Sequence, residues 1–279
     1  MKAQRAGAEY RFNNRVSGVK IEPDQVIVTL FNRDKTEQIS ARCVVAACGY
    51  VPGFIGRLGL GTFRDFTYGA QAEVTTVSLD EVEVYFGDMA PDFFAWLVPI
   101  SSLEARAGLL SRGKPGDYLK IWLELLKSRG IIASADVKIT SGAIPLKPPN
   151  RTYGERLIAV GDAAGQVKPT SGGGIYYGLL CADIAADTLH QALAEDNLSV
   201  KRLALYEKAW HAKLGRELKK GYRARKFFEG LSYNQINGLF KIAKSGGIEK
   251  AISKARGVSF DWHSRTMKQI IKYRFGLKS

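Results

Sequence analysis

The sequence is poor in several things, and each shortage narrows what the chain does. It holds 3 cysteines in 279 residues: Cys43, Cys48 and Cys181. They are odd in number and lack metal-ligand spacing. A disulfide scaffold and a thiolate metal site are therefore not expected, and a reducing cytoplasm is. The 3 histidines, His190, His211 and His263, are scattered and suggest no metal site either. No apolar run approaches the ~18 residues that a membrane-spanning helix needs. No basic-then-apolar leader opens the chain. Internal repeats and low-complexity segments are missing. Acid is scarce in one region alone. From Lys201 onward there are 20 Lys and Arg against 5 Asp and Glu, while residues 1–200 hold 21 against 22. The net charge of +14 thus belongs to the C-terminal end. A basic end beside a near-neutral body reads either as a contact for an anionic surface, lipid or nucleic acid, or as a solvated helical face.

Apolar residues, by contrast, are plentiful at 46%, enough for a packed core rather than disorder. The length allows one large domain or two smaller ones. The stretch "AEYRFNNRVSGVKIEPDQVIVTLFNRDKTEQISARCVVAACG" alternates apolar and polar residues between turn signals at Asn13-Asn14, Pro23-Asp24 and Asn32-Arg33-Asp34. It reads as four strands, the last of which, "CVVAAC", is continuously apolar like a buried parallel strand. A second β-rich block runs from about Phe66 to Ile144, with "AEVTTVSL", "VEVYFG", "FFAWLVPI" and "ARAGLL". One helix, "GDYLKIWLELLKSRG", interrupts it and stops at Gly130. "RLIAVGD" is another buried strand. From Gly174 the pattern is helical to the end, broken at "LSYNQ", "SGG" and "ARGVSFD". The fold class expected is mixed α/β (α+β).

The segment "RLIAVGDAAGQVKPTSGGGIYYG", Arg156 to Gly178, carries the chemistry. Gly161-Asp162 sits at the C-terminal edge of a strand, where open α/β sheets bind ligands. The glycines that follow let a backbone approach a bulky flat or phosphorylated ligand. The helix beginning near Gly174 points its free N–H groups back at that ligand and favours negative charge. Asp162 would repel a phosphate, so it suits the hydroxyls of a sugar or polyol. Together these describe a flavin. The plain structural alternative is a glycine-rich loop with a helix-capping acid.

The block "VGDAAGQVKPTSGGGIYYGLLCADIAA" resembles the Gly-Asp motif of the geranylgeranyl reductase family, FAD-dependent oxidoreductases of the p-hydroxybenzoate hydroxylase-like class. "FFAWLVPISSLEARAGLL" resembles that family's substrate-pocket signature: an aromatic, any residue, Trp, two residues, Pro, then a pair of glycines. "CVVAACGYVPGFIGRLGLG" resembles its Ala-Asp-Gly segment, and the likeness covers nearly all of the chain.

The resemblance implies that Asp162 holds the ribityl chain of FAD, with Gly161 beside it among the cofactor-binding residues. Gly174 and Ile175 would offer N–H groups to the flavin's pyrimidine edge, and Gly172 and Gly173 would let the ring approach. Phe94, Trp96 and Pro99 would line an apolar tunnel for a prenyl chain, ordinary strand packing being the alternative. The implied reaction is reduction of C=C bonds in prenyl-lipid substrates, with NADPH or ferredoxin as candidate reductants. The implied organisation is a partial Rossmann-like FAD-binding domain over 1–64, a β-sheet substrate domain over 65–145, the Gly-Asp motif and long helix over 146–198, and a basic helical region over 199–279. The enzyme is expected to be cytoplasmic, peripheral at the membrane, docked through cations that flank Leu214, Leu218, Tyr222 and Phe227. No nucleic-acid partner is expected, since no zinc, RRM or KH signature occurs. Four departures stand out. Ala47-Cys48-Gly49 replaces Ala-Asp-Gly, Val98 replaces Phe before Pro99, and Leu110 replaces the second glycine. The fourth is that no G-x-G-x-x-G opens the chain, so it is expected to be a fragment lacking the ADP-binding βαβ. Cys48 as a redox thiol would need a depressed pKa. A monooxygenase or quinone-linked dehydrogenase of the same fold, and a basic binding module without catalysis, are the alternative readings.

Overall fold

The computed structural model describes residues 2–245 apart from Asp34 and Ser78. The glycines of the "SGG" break, the "ARGVSFD" break and His263 lie outside the described residues. A short helix, α1 (Lys2–Arg5), precedes strands β1 (Arg15–Ile21), β2 (Val26–Asn32), β3 (Lys35–Ala41) and β4 (Val44–Ala46), then the short α2 (Phe54–Arg57). Strands β5 (Phe66–Thr75), β6 (Glu83–Tyr85), β7 (Ala95–Pro99) and β8 (Glu104–Ser111) follow, then α3 (Pro115–Ser128) and β9 (Thr140–Pro145). Strands β10 (Tyr153–Gly154) and β11 (Leu157–Ala159) lead through a 3-10 turn, Gly161–Ala164, into helices α4 (Ile175–Ala194), α5 (Val200–Glu229) and α6 (Tyr233–Ser245).

The strands form three sheets. An antiparallel meander orders β1-β2-β3. A small sheet orders β10-β11-β4, with β11 and β4 parallel; β11, "LIA", is buried on both faces as expected of such a strand, whereas in β4 Val45 is 42% exposed, so the apolar run "CVVAAC" is buried on one face only. The sheet's buried side chains pack against the 3-10 turn and α2 on one side and against α4 and α5 on the other. A five-stranded antiparallel sheet orders β6-β7-β8-β5-β9.

Alternation settles the faces of this large sheet. Ala70, Ala72 and Val74, with Ala95, Leu97, Ala107 and Leu109, pack on Leu119, Trp122, Leu123 and Leu126 of α3. The opposite face carries Gly69, Gln71, Trp96, Gly108 and Leu110 by parity, and that face is the one left for a ligand.

One helix ties the sheets together. On α5, Tyr206 and Trp210 are fully buried. The Tyr206 hydroxyl donates to the Ala159 carbonyl at 2.8 Å, and Trp210 Nε1 donates to Thr152 Oγ1 at 3.0 Å. Near the other end, Arg112 of the large sheet pairs with both Asp65 and Glu229. Lys226 reaches the same two acids at 3.1 and 2.9 Å. Arg225, 3% exposed, lies 3.8 Å over the Phe93 ring. The stripe expected to meet a membrane is partly spoken for. Leu214 and Leu218 are buried in the core and Tyr222 is half-buried, whereas Phe227 is exposed. No described helix is long and apolar enough to cross a membrane.

Candidate functional site

The Gly-Asp turn is held from behind. Gln166 is fully buried. Its Oε1 accepts from the Gly161 amide at 2.8 Å, and its Nε2 donates to Tyr206 Oη at 2.8 Å. The chain Gly161–Gln166–Tyr206–Ala159 thus fixes where strand β11 ends and where Asp162 begins. Gly161 and Gly165 both take positive φ, 65° and 64°. At Gly165 an added Cβ would meet the Lys147 carbonyl and Pro148 at 2.7 Å, so the turn must be side-chain-free there. Sequence reasoning missed Gln166 and Tyr206; neither carries a motif signal, and a buried amide is visible only once its partners are placed.

Asp162 is the acid this frame presents. Its carboxylate lies against the start of α4: a Cβ added to Gly174 would sit 2.6 Å from Oδ1. Among the described residues no group donates a hydrogen bond to that carboxylate. Burial raises its pKa above the usual range. A half-buried carboxylate without donors is an acceptor in search of hydroxyls. The amides of Gly174 and Ile175 begin α4 and bond to nothing among the described residues, as helix starts leave them. The Ile175 side chain is 85% exposed and leaves its amide uncovered. A hydroxyl acceptor and two N–H donors at a helix start have the chemistry that the ribityl chain and pyrimidine edge of a flavin would take.

Gly172 links this cradle to the large sheet. Its φ is 71°, and an added Cβ would stand 3.2 Å from both Ile144 Cδ1 and Leu110 Cδ1. Those two side chains, with Trp96, Gly69 and Gly142, wall a cavity of about 370 Å³ on the open face of the sheet. Trp96 lies flat across Gly108, where a Cβ would fall 2.3 Å from the indole. The glycine of the "AGLL" run is thus what lets the indole lie down and leaves the cavity open. No ionisable side chain lines this cavity. It can hold and orient an apolar chain, and it has no acid or base of its own.

The expected site residues separate accordingly. Gly161, Asp162, Gly172, Gly173, Gly174 and Ile175 lie together along the turn and helix start. Trp96 lines the cavity. Phe94 stands behind it, ring centroids 5.9 Å apart, in a cluster with Phe93, Leu110 and Leu146. Pro99 does not line the cavity: three residues on from Trp96, it has the parity of Ala95 and Leu97, which face α3. Cys48 is exposed, and partial desolvation raises its pKa, so the structure gives it no thiolate character. Tyr177 is buried in the core under α4. The described residues contain no cluster of His, Cys, Asp and Glu able to hold a metal.

No family model matches the chain. A digeranylgeranylglycerophospholipid reductase of Methanopyrus kandleri is 30% identical over 256 residues, 86% of this chain and 64% of the relative. Another, of Methanothermobacter thermautotrophicus, is 33% identical over 221 residues, 75% and 56% of the two chains. The chain is similar to reductases of the geranylgeranyl reductase family over most of its own length. It spans less than two thirds of the length of these two reductases. A geranylgeranyl bacteriochlorophyll reductase-like protein of Thermoplasma acidophilum superposes with TM-score 0.80 at 20% identity, covering 99% of this chain and 70% of that one. A flavin-dependent halogenase superposes at TM-score 0.67 and 16% identity, covering 99% and 57%. At these identities the geranylgeranyl reductase fold is what is shared, including by enzymes with other chemistry.

Proposed function

We propose that the chain acts in an FAD-dependent oxidoreductase that reduces carbon–carbon double bonds of prenyl chains in lipid substrates. The observation that supports this most directly is the position of Gly172. An added Cβ there would stand 3.2 Å from the Leu110 and Ile144 side chains that wall the apolar cavity, so a flat ring held by Asp162 and Gly174 would lie beside a chain held in that cavity. Bound FAD would supply the hydride chemistry. Asp162 would accept hydrogen bonds from its ribityl hydroxyls, and the amides of Gly174 and Ile175 would stabilise negative charge at its pyrimidine edge. Trp96, Leu110 and Ile144 exclude water and align the chain. With no acid in the lining, the proton that completes saturation arrives through water or from outside the cavity wall. The protein reaches its lipid at an anionic membrane surface through α5. With Leu214 and Leu218 turned inward, the cations do this work, at about 1 kcal/mol each near a charged leaflet.

The test is anaerobic. Flavin-loaded protein is reduced and mixed with a digeranylgeranyl phospholipid, and products are read by mass spectrometry. Reoxidation of the flavin with matching saturation of the lipid supports the reading. Oxygen-dependent hydroxylation or halogenation, the chemistry of other enzymes with this fold, would replace it.

A further inference from the structure

A second cavity, of about 680 Å³, lies between α5 and the segment that follows β9. Its size is that of a small-molecule site. Its floor is apolar, made by Leu146, Pro148 and Leu218, with Tyr222 on one side. Four cations surround it: Lys147, Arg216, Lys219 and Arg223. Lys147 rests over the Tyr222 ring, its Nζ 4.2 Å from the centroid. The other three are exposed, and among the described residues they form no ion pair. They occupy positions i, i+3 and i+7 of α5, which is one helix face, and like charges so spaced repel. Acids are not lacking nearby: one turn on, Lys226 is paired twice, with Asp65 and Glu229. The unpaired cations gather where the helix faces the cavity. An apolar floor ringed by three free cations fits a ligand that is greasy at one end and multiply anionic at the other.

The wall of this cavity is also the wall of the first. Leu146 belongs to the cluster of Phe93 and Leu110, against which Trp96, Ile144 and Tyr222 pack. Trp96, Leu110 and Ile144 face the cavity on the sheet, and Leu146 and Tyr222 face this one.

We infer that the second cavity seats the phosphate-bearing end of the substrate amphiphile, its prenyl portion extending toward the cavity on the sheet. Assigning the amphiphile as substrate rests on the function proposed above; the phosphate specificity rests on the cavity alone. Arg216, Lys219 and Arg223 bind the phosphate by charge-assisted hydrogen bonds, and Leu146 and Leu218 take the adjoining hydrocarbon.

Binding without turnover tests this. The probes are geranylgeranyl monophosphate, geranylgeraniol and inorganic phosphate, titrated against the flavin-loaded full chain at low salt. The phosphorylated chain is expected to bind about tenfold or more tighter than the alcohol, a preference that shrinks as salt rises. The triple variant Arg216→Gln, Lys219→Gln, Arg223→Gln should bind both alike while keeping its flavin and its melting temperature, because all three side chains face water. Arg216→Glu alone should reduce the preference. Equal binding of phosphate ester and alcohol by the unaltered protein, or a preference that survives the triple change, overturns the inference. Inorganic phosphate competing as well as the ester would make this a free-phosphate site and overturn the amphiphile. A protein that prefers the ester yet saturates no double bond would remove the proposed reaction and leave this site standing.

Discussion

Asp162→Asn should move stability and flavin affinity in opposite directions. In the flavin-free protein the carboxylate is half-buried with no donor, and burial raises its pKa. A carboxyl that binds its proton more tightly when folded stabilises the fold fully below its unfolded value, near pH 3.9. That stability is lost as pH rises through the higher folded value, so at neutral pH the ionised group is a net cost. The start of α4 offsets part of this, and the shift is still upward. The amide has nearly the same shape and no charge. The variant should therefore melt slightly higher than the parent at pH 7, with the difference closing as pH approaches 4. With FAD the sign reverses. Hydrogen bonds to a charged acceptor contribute about 1.5–3 kcal/mol, so flavin binding should weaken about 10- to 150-fold. Thermal melts at two pH values and a flavin fluorescence titration measure both. A residue that merely props the turn would lose stability and affinity together. Unchanged flavin affinity would remove Asp162 from the site, and a lower melting temperature at pH 7 would refute the burial argument.

Gln166→Ala strands the Gly161 amide, at about 1–3 kcal/mol, while the Tyr206 hydroxyl keeps its bond to the Ala159 carbonyl; the melting temperature should fall by at least about 2 °C, and an unchanged melt would show that the turn does not depend on this bridge. Gly108→Ala places a methyl group 2.3 Å from the Trp96 indole, so overpacking should cost about 1–3 kcal/mol and prenyl-chain binding should drop while flavin titration stays as before. Burial by itself would raise the carboxyls of Asp65 and Glu229, but Tyr222, Arg112 and Lys226 hold Asp65 below its usual range, and Lys226 and Arg112 do so for Glu229. Their contribution is complete above the unfolded values near pH 4 and is lost as pH falls further; proteolysis after Glu229 should accelerate below that point and not at pH 6.

The sequence made the strand-to-helix junction legible because glycine and a lone acid are local signals. Gly165 and Gly172 need positive φ and close approach, and only residues without a side chain meet both. The large sheet was legible through alternation, yet the same alternation was applied too loosely to "FFAWLVP". Trp96 and Pro99 are an odd number of positions apart and face opposite sides, so one tunnel does not take both from a flat strand. The stripe Leu214, Leu218, Tyr222, Phe227 was read correctly as one helical face for its first members. What the pattern does not say is which surface a face meets, and Leu214 and Leu218 meet the core. Gln166 and the Asp65–Arg112–Glu229 group were illegible for a further reason. Gln166 reaches Tyr206 40 positions on, and Arg112 lies 47 positions from Asp65 and 117 from Glu229; a polar residue's burial depends on partners that no short window contains.

These long-range bonds also explain why one helix matters to both cavities. α5 has 30 residues, so it is about 45 Å long. Its first half grips the Gly-Asp turn through Tyr206 and the start of β10 through Trp210. Its last turn grips the large sheet through Glu229, Lys226 and the buried Arg225. The contact between Gly172 and the Leu110–Ile144 wall is therefore set from both ends by a rigid rod rather than by the glycine loop itself. A loop so rich in glycine has many accessible conformations and would lose them at a large entropic cost if it had to find the wall unaided. Fixing its two anchors to one helix lowers that cost before any ligand arrives. It follows that loosening the Arg112–Glu229 end should weaken chain binding at the sheet without touching a single residue that lines the cavity, an effect Arg112→Gln would show as a loss of prenyl affinity at unchanged flavin affinity.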